Sequence, residues 1–241
     1  MSNIARYIDH TLLRPDAKEQ QIRGLCMESR GLGFGLGFAA VCVHPYWVRV
    51  CADLLNGDST KVCAVIGFPL GMNGKYAKAL EAAVAVRDGA QEIDMVINIG
   101  ALKNGDVDTV EDEIREVRRR IDETYRETYR GNAPPDKVVL KAIIETCLLN
   151  AIEKKLACEI AQRAGADFVK TSTGFSTAGA TLEDVRLIRK IVGPDMGIKA
   201  SGGIKTYGDA LKMIEAGANR IGSTASMKII WREDRQTSRV G

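Results

Sequence analysis

Ala164-Gly165-Ala166-Asp167-Phe168-Val169-Lys170-Thr171 reads as the end of a helix, a turn, and the whole of the strand that follows. Glycine just past the last helical residue takes the left-handed backbone that closes a helix. The apolar run behind it is too short for a helix and suits a strand buried on both faces. The same punctuation returns at Asp88-Gly89-Ala90 and Ala216-Gly217-Ala218, each just ahead of another apolar run. Working outward from these turns, the expected strands are Ile8–Leu12, Phe38–Val43, Val62–Gly67, Glu92–Ile97, Val138–Ile144, Phe168–Thr171, Gly197–Ala200 and Arg220–Gly222. Between them lie segments of helical spacing. Leu80–Arg87 carries the Ala and Val positions of a helix packed on a sheet, and Val107–Tyr129 is mostly charged, with apolar Val110, Ile114, Val117 and Ile121 at spacings of three and four, an outer helix with one buried stripe.

Strands that alternate with helices form a parallel sheet, and eight units in 241 residues come to about 30 residues each, the size of a βα unit. The expectation is an α/β protein, a single (β/α)8 TIM barrel over residues 1–241 with a short charged tail at 231–241. An open doubly wound sheet fits less well, because no G-x-G-x-x-G opens a helix after the first strand. The glycines of Gly31-Leu32-Gly33-Phe34-Gly35-Leu36-Gly37 precede a strand instead and read as a helix-to-strand connection.

Composition narrows the function classes. Apolar residues make up 45% and charged residues 27%, as in ordinary globular proteins, which excludes disordered and fibrous readings. No apolar run approaches membrane-spanning length, and Met1-Ser2-Asn3-Ile4-Ala5-Arg6 lacks the layout of a signal peptide, so a soluble cytoplasmic protein is expected. Lys and Arg total 34 against 31 Asp and Glu, too even for a nucleic-acid partner, and no basic cluster interleaves with aromatics. The six cysteines form no C-x-x-C pair and sit in apolar surroundings, so they read as buried reduced thiols. With only His10 and His44 available, no metal site is expected.

In a barrel the active face is built at the strand C-terminal ends, and three strands carry a charge there: Asp94, Lys170 and Lys199. A buried ammonium must be paired, placed at the mouth, or neutral. A structural Lys–Asp pair accounts for any one of them. Two lysines from neighbouring strands fit chemistry better, because each disfavours the other's charged form, and a neutral amine can attack a carbonyl to form a Schiff base. Asp94 and the second lysine would then move protons. Lys141 either pairs with Glu145 or lines the same mouth. Hydroxyls and glycines follow the last strands at Thr171-Ser172-Thr173-Gly174, Ser201-Gly202-Gly203 and Gly222-Ser223-Thr224, a pattern suited to a phosphate held by backbone N–H groups.

These motifs resemble the deoxyribose-phosphate aldolase family along nearly the whole chain. The resemblance runs through Ile8-Asp9-His10-Thr11-Leu12, Val41-Cys42-Val43, Ile66-Gly67-Phe68-Pro69-Leu70-Gly71, Glu92–Asn98, Ile144-Glu145-Thr146, Phe168–Phe175, Lys199–Ile204 and Arg220-Ile221-Gly222. It implies a class I, metal-independent aldolase with no cofactor. The implied reaction is the reversible cleavage of 2-deoxy-D-ribose 5-phosphate to D-glyceraldehyde 3-phosphate and acetaldehyde, in deoxyribonucleoside catabolism. By that resemblance Lys170 is the Schiff-base lysine, Lys199 the neighbour that eases its deprotonation, and Asp94 the proton relay. Asp9, Thr11, Cys42 and Thr173 match residues of the substrate pocket, and Gly174, Gly202, Gly203 and Thr224 fall at phosphate-loop positions; the residues' own pattern adds Lys141 and Ser223 as substrate-binding candidates. A homodimer or higher homo-oligomer is implied as well.

The chain departs from the family pattern in four places. Thr224-Ala225 stands where two serines are usual, and Phe175 where some members carry a phosphate-facing lysine, which leaves backbone N–H groups and Lys205 for the anion. Gly31–Phe38 reads as Gly-Leu-Gly-Phe twice, a tandem duplication, and the tail lacks a terminal tyrosine. The competing readings are another Schiff-base sugar-phosphate aldolase or transaldolase, and a barrel that binds phosphosugars without turning them over.

Overall fold

A computed structural model describes residues 4–30, 37–129 and 137–237. Its strands are β1 (Ile8–Thr11), β2 (Ala40–Val43), β3 (Lys61–Ile66), β4 (Glu92–Val96), β5 (Val139–Ile143), β6 (Phe168–Lys170), β7 (Gly197–Ser201) and β8 (Arg220–Ser223). The helices are α1 (Glu19–Ser29), α2 (Val48–Leu54), α3 (Lys75–Arg87), α4 (Ile99–Lys103), α5 (Val107–Thr128), α6 (Ala151–Arg163), α7 (Leu182–Val192), α8 (Tyr207–Glu215) and α9 (Ser226–Thr237). Every strand pairs in parallel with its sequence neighbours, and β8 pairs with β1, so the sheet closes into a barrel in chain order.

All eight expected strands are present, with ends moved by one or two residues. β3 stops at Ile66 because Gly67 turns left-handed at φ 58°. The three helix-ending glycines also hold positive φ, 106° at Gly89, 86° at Gly165 and 117° at Gly217, as the turn from helix to strand requires. Helix starts are capped by side chains: Asn98, Asp106, Asn150, Thr181 and Thr206 each accept a backbone N–H of the first turn. The Gly31–Phe38 repeat falls, apart from its last two residues, outside the described residues, as does the chain end beyond Thr237.

Strand side chains alternate between the barrel interior and the helix layer. Outward-facing Val41, Ile93, Leu140, Val169, Ile198 and Ile221 join the inner faces of the helices, including the Val110, Ile114, Val117 and Ile121 stripe of α5, in one continuous core. The interior is divided. Toward β2 and β3 it is apolar, with Cys42, Cys63 and Val65 packed together. The remaining strands send charge inward.

Candidate active site

The alternation that points Ile93 outward turns its neighbours Glu92 and Asp94 inward. Asp94 is paired in register with Lys141, Lys170 with Lys199, and Lys199 with Arg220. The result is one buried network. Asp94 Oδ2 accepts from Lys170 Nζ at 2.8 Å and from Lys199 Nζ at 2.6 Å, while its Oδ1 accepts from Lys141 Nζ at 2.9 Å and from the Cys63 thiol at 3.1 Å. Lys199 also pairs with Asp9. Beneath them Arg220 bridges Asp9 at 2.7 Å and Glu92 at 2.9 Å, and Lys141 reaches Glu92 at 2.5 Å.

Four cations, Lys141, Lys170, Lys199 and Arg220, thus face three carboxylates, Asp9, Glu92 and Asp94. One positive charge is left over, and its distribution is uneven. Burial works against ionising Asp94, but Lys141, Lys170 and Lys199 hold it well below the usual carboxylate range. Burial likewise opposes charge on Asp9, which Arg220, Lys199 and Lys141 hold low. Lys199 and Lys141 are pushed up in spite of their burial, Lys199 by Asp9 and Asp94 and Lys141 chiefly by Asp94. Cys42 is drawn down to about 7 by the neighbouring Cys63 thiol and by Lys199, whose Nζ lies 3.9 Å from its sulfur. Lys170 has a single ion-pair partner, Asp94, and shares even that oxygen with Lys199. It therefore makes the fewest ion pairs of the four cations.

Above this layer opens a cavity of about 930 Å³ at the C-terminal ends of the strands. Lys170 and Lys199 lie on its floor, Thr11 and Thr173 on its walls, and Gly174, Gly202, Gly203, Ser223 and Thr224 around its far side. Gly174, Gly202 and Gly203 all take positive φ near 80°. The N–H groups of Gly174, Gly202, Gly203 and Thr224 donate to no acceptor among the described residues. The Ser223 hydroxyl is engaged internally, donating to Ile204 O at 2.8 Å and accepting from Ala225 N at 3.0 Å. Gly222 has no side chain for a simple reason: a Cβ there would come within 2.9 Å of Ser201 Cβ and 3.2 Å of Lys199 Cε. A second cavity of about 800 Å³ lies at the opposite end, among the strand starts, and reaches only the Glu92 and Arg220 end of the network.

Asp9, Cys42 and Lys141, expected in the substrate pocket, are fully buried and do not line the cavity that Lys170 and Lys199 border. Lys141 does not pair with Glu145, whose carboxylate bonds Thr173 instead. Phe175 packs edge-on against Phe68 at 5.3 Å, and Phe68 lies 6.0 Å from Lys170 Nζ, so the site of the missing lysine has become part of an aromatic wall. Sequence reasoning did not single out Glu92, Arg220 or Cys63. Glu92 and Arg220 stand at strand starts, where a charge is ordinary, and the register that brings Cys63 to Asp94 is not readable from one strand's residues. Cys42, Cys63 and Asp94 lie close enough to share a metal ion, but the ammonium groups around them disfavour a cation there.

No family model matches the chain. Deoxyribose-phosphate aldolase 1 of Bacillus licheniformis is 53% identical over 227 residues, 94% of each chain. Among solved structures, the protein described as "QR15, an Aldolase" superposes with a TM-score of 0.88 at 41% identity over 100% of both chains. The tetrameric deoxyribose phosphate aldolase of Aeropyrum pernix superposes with a TM-score of 0.83 at 31% identity, covering 97% of this chain and 92% of that one.

Proposed function

The chain belongs to the deoxyribose-phosphate aldolase family, and from that premise we propose how its own residues carry the reaction. It is a class I aldolase acting on 2-deoxy-D-ribose 5-phosphate. Lys170 is the nucleophile. The observation that supports this is the shared oxygen of Asp94: of the two amines bound to it, Lys199 has Asp9 as a second carboxylate and stays charged, while Lys170 has none.

The neutral Lys170 amine attacks C1 of the open-chain aldehyde, and the carbinolamine loses water to give an iminium. Lys199, held protonated, supplies the proton that turns the departing hydroxyl into water. Asp94, held ionised, accepts protons from the amines it touches. The iminium then draws in the electrons of the C2–C3 bond as the C3 hydroxyl loses its proton, releasing D-glyceraldehyde 3-phosphate. The enamine that remains is protonated at C2, and hydrolysis returns Lys170 and acetaldehyde. The unspent N–H groups of Gly174, Gly202, Gly203 and Thr224, with Lys205 at the rim, hold the phosphate. A coupled assay for glyceraldehyde 3-phosphate release tests this reading: turnover that disappears in Lys170→Met supports it, and retained turnover in that variant refutes it.

The chain also acts as a homo-oligomer in this reading. Tyr76, Leu80 and Val84 form an exposed apolar stripe along α3, of the self-complementary kind that pairs two copies. Light scattering on the protein and on Leu80→Glu checks it, and a monomeric wild-type protein would reject it. All six cysteines are unpaired, which supports a reducing, cytoplasmic setting; among the described residues no helix is long and apolar enough to cross a membrane.

A further inference from the structure

Glu145 takes no part in the network around Asp94, yet among the described residues it is the one non-glycine position with positive φ, at 52°. A side chain stays in that conformation only where its surroundings fix it. Here the backbone on either side is tied to the end of β6, with Ile144 N donating to Lys170 O at 3.0 Å and Thr146 N to Thr171 O at 2.8 Å. Glu145 is 2% exposed, and among the described residues its carboxylate meets no cation. It accepts from the Cys147 thiol at 3.9 Å and, more closely, from Thr173 in the active-site wall. Thr173 N donates to both carboxylate oxygens at 3.3 Å, and Thr173 Oγ1 donates to Oε2 at 2.5 Å.

The direction of that last bond decides the chemistry of the wall. The one proton of the Thr173 hydroxyl points to Glu145 Oε2 and is committed there. One lone pair of Thr173 Oγ1 receives Phe175 N at 3.1 Å. The other lone pair is left, and Thr173 borders the cavity. A group that meets Thr173 from the cavity must therefore donate. Thr173 follows Lys170 by three residues, on the way to Gly174 and the turns that hold the phosphate. A substrate stretched between the amine and those turns passes this oxygen with its hydroxyl-bearing carbons.

We propose that Glu145 is a positioning residue that holds Thr173 as a hydrogen-bond acceptor for a substrate hydroxyl, so that the enzyme separates hydroxylated aldehyde phosphates from their deoxy analogues. This rests on Lys170 as the nucleophile. The test runs in the synthetic direction with acetaldehyde as donor. It compares kcat/KM for D-glyceraldehyde 3-phosphate with kcat/KM for 3-phosphopropanal, which lacks the hydroxyl. Glu145→Gly removes the carboxylate while suiting the left-handed backbone; Thr173→Val removes the acceptor, and Glu145→Gln keeps an accepting oxygen. The preference for the hydroxylated aldehyde should fall about tenfold in Glu145→Gly and in Thr173→Val, the scale of one lost hydrogen bond. It should fall no further in the double variant and stay within about threefold of wild type in Glu145→Gln. An unchanged preference, or an equal loss on both aldehydes, overturns the proposal. Borohydride trapping of the acetaldehyde adduct in the same variants separates the two readings, because a label away from Lys170 would refute the nucleophile and leave the preference ratio to judge Glu145.

Discussion

Lys199 has two carboxylate partners where Lys170 has one, and the asymmetry comes from Asp9, which pairs with Lys199 and not with Lys170. Replacing Lys199 with leucine removes one cation from a network that has one in excess, so the three remaining cations are balanced by three carboxylates. The expected result is a loss of about 100-fold in kcat near neutral pH, the scale of a missing acid–base group, with the acid limb of the pH–rate profile moved upward. An unchanged profile would show that Lys199 does not govern the nucleophile. Gly222→Ala should also slow turnover, because the added Cβ would press on Lys199 Cε at 3.2 Å; activity equal to wild type would show that the lysine can give way. At this scale the sequence was readable where a charge interrupted an apolar strand, as at Asp94, Lys170 and Lys199. It was silent at Glu92 and Arg220, which stand at strand starts where charge is ordinary, and at Glu145, whose left-handed backbone leaves no mark in residue type.

At the scale of elements, the loops around the mouth are held by a second buried pair. Lys78 on α3 reaches Glu113 on α5 at 2.6 Å and donates to Gly71 O at 2.7 Å and Val96 O at 2.9 Å, tying the end of β4 and the loop after β3 to two helices. Burial pushes Lys78 down and Glu113 up, so each resists its charge except through the other. Lys78→Met should cost about 3–5 kcal/mol by stranding Glu113, and the double variant Lys78→Met/Glu113→Leu should be less destabilised than either single one. Urea denaturation reads both, and additive losses would contradict the pairing. Lys78 was not legible beforehand: in a helix that also carries Lys75, Glu81 and Arg87, a lysine looks like part of a solvated face. The helix ends were legible, since Gly89, Gly165 and Gly217 mark them by a backbone requirement that glycine meets at least cost.

For the whole molecule, the eight short runs and their glycine turns were enough to anticipate the closed barrel, because a parallel strand needs a helix to return it and 241 residues hold eight such units. What that pattern could not convey is that the barrel interior is half apolar and half ionic, which depends on register between strands distant in sequence. The ionic half makes stability depend on pH. Asp9 and Asp94 sit below the ordinary carboxylate value of 3.8, so their contribution is complete above it and is lost as pH falls. Lys141 and Lys199 sit above 10.5, so theirs is complete below that value and is lost only as pH rises past it. The urea midpoint should therefore be level between about pH 5 and 9 and drop steeply below about pH 4; a midpoint that holds at pH 3 would contradict the network.

In the reaction proposed above, one amine of the three around Asp94 forms the covalent bond. Borohydride reduction with acetaldehyde, followed by peptide mapping, tests it most directly. The predicted result is a two-carbon adduct on Lys170 alone, absent in Lys170→Met. An adduct on Lys199 or Lys141, or no adduct at all, would contradict the account.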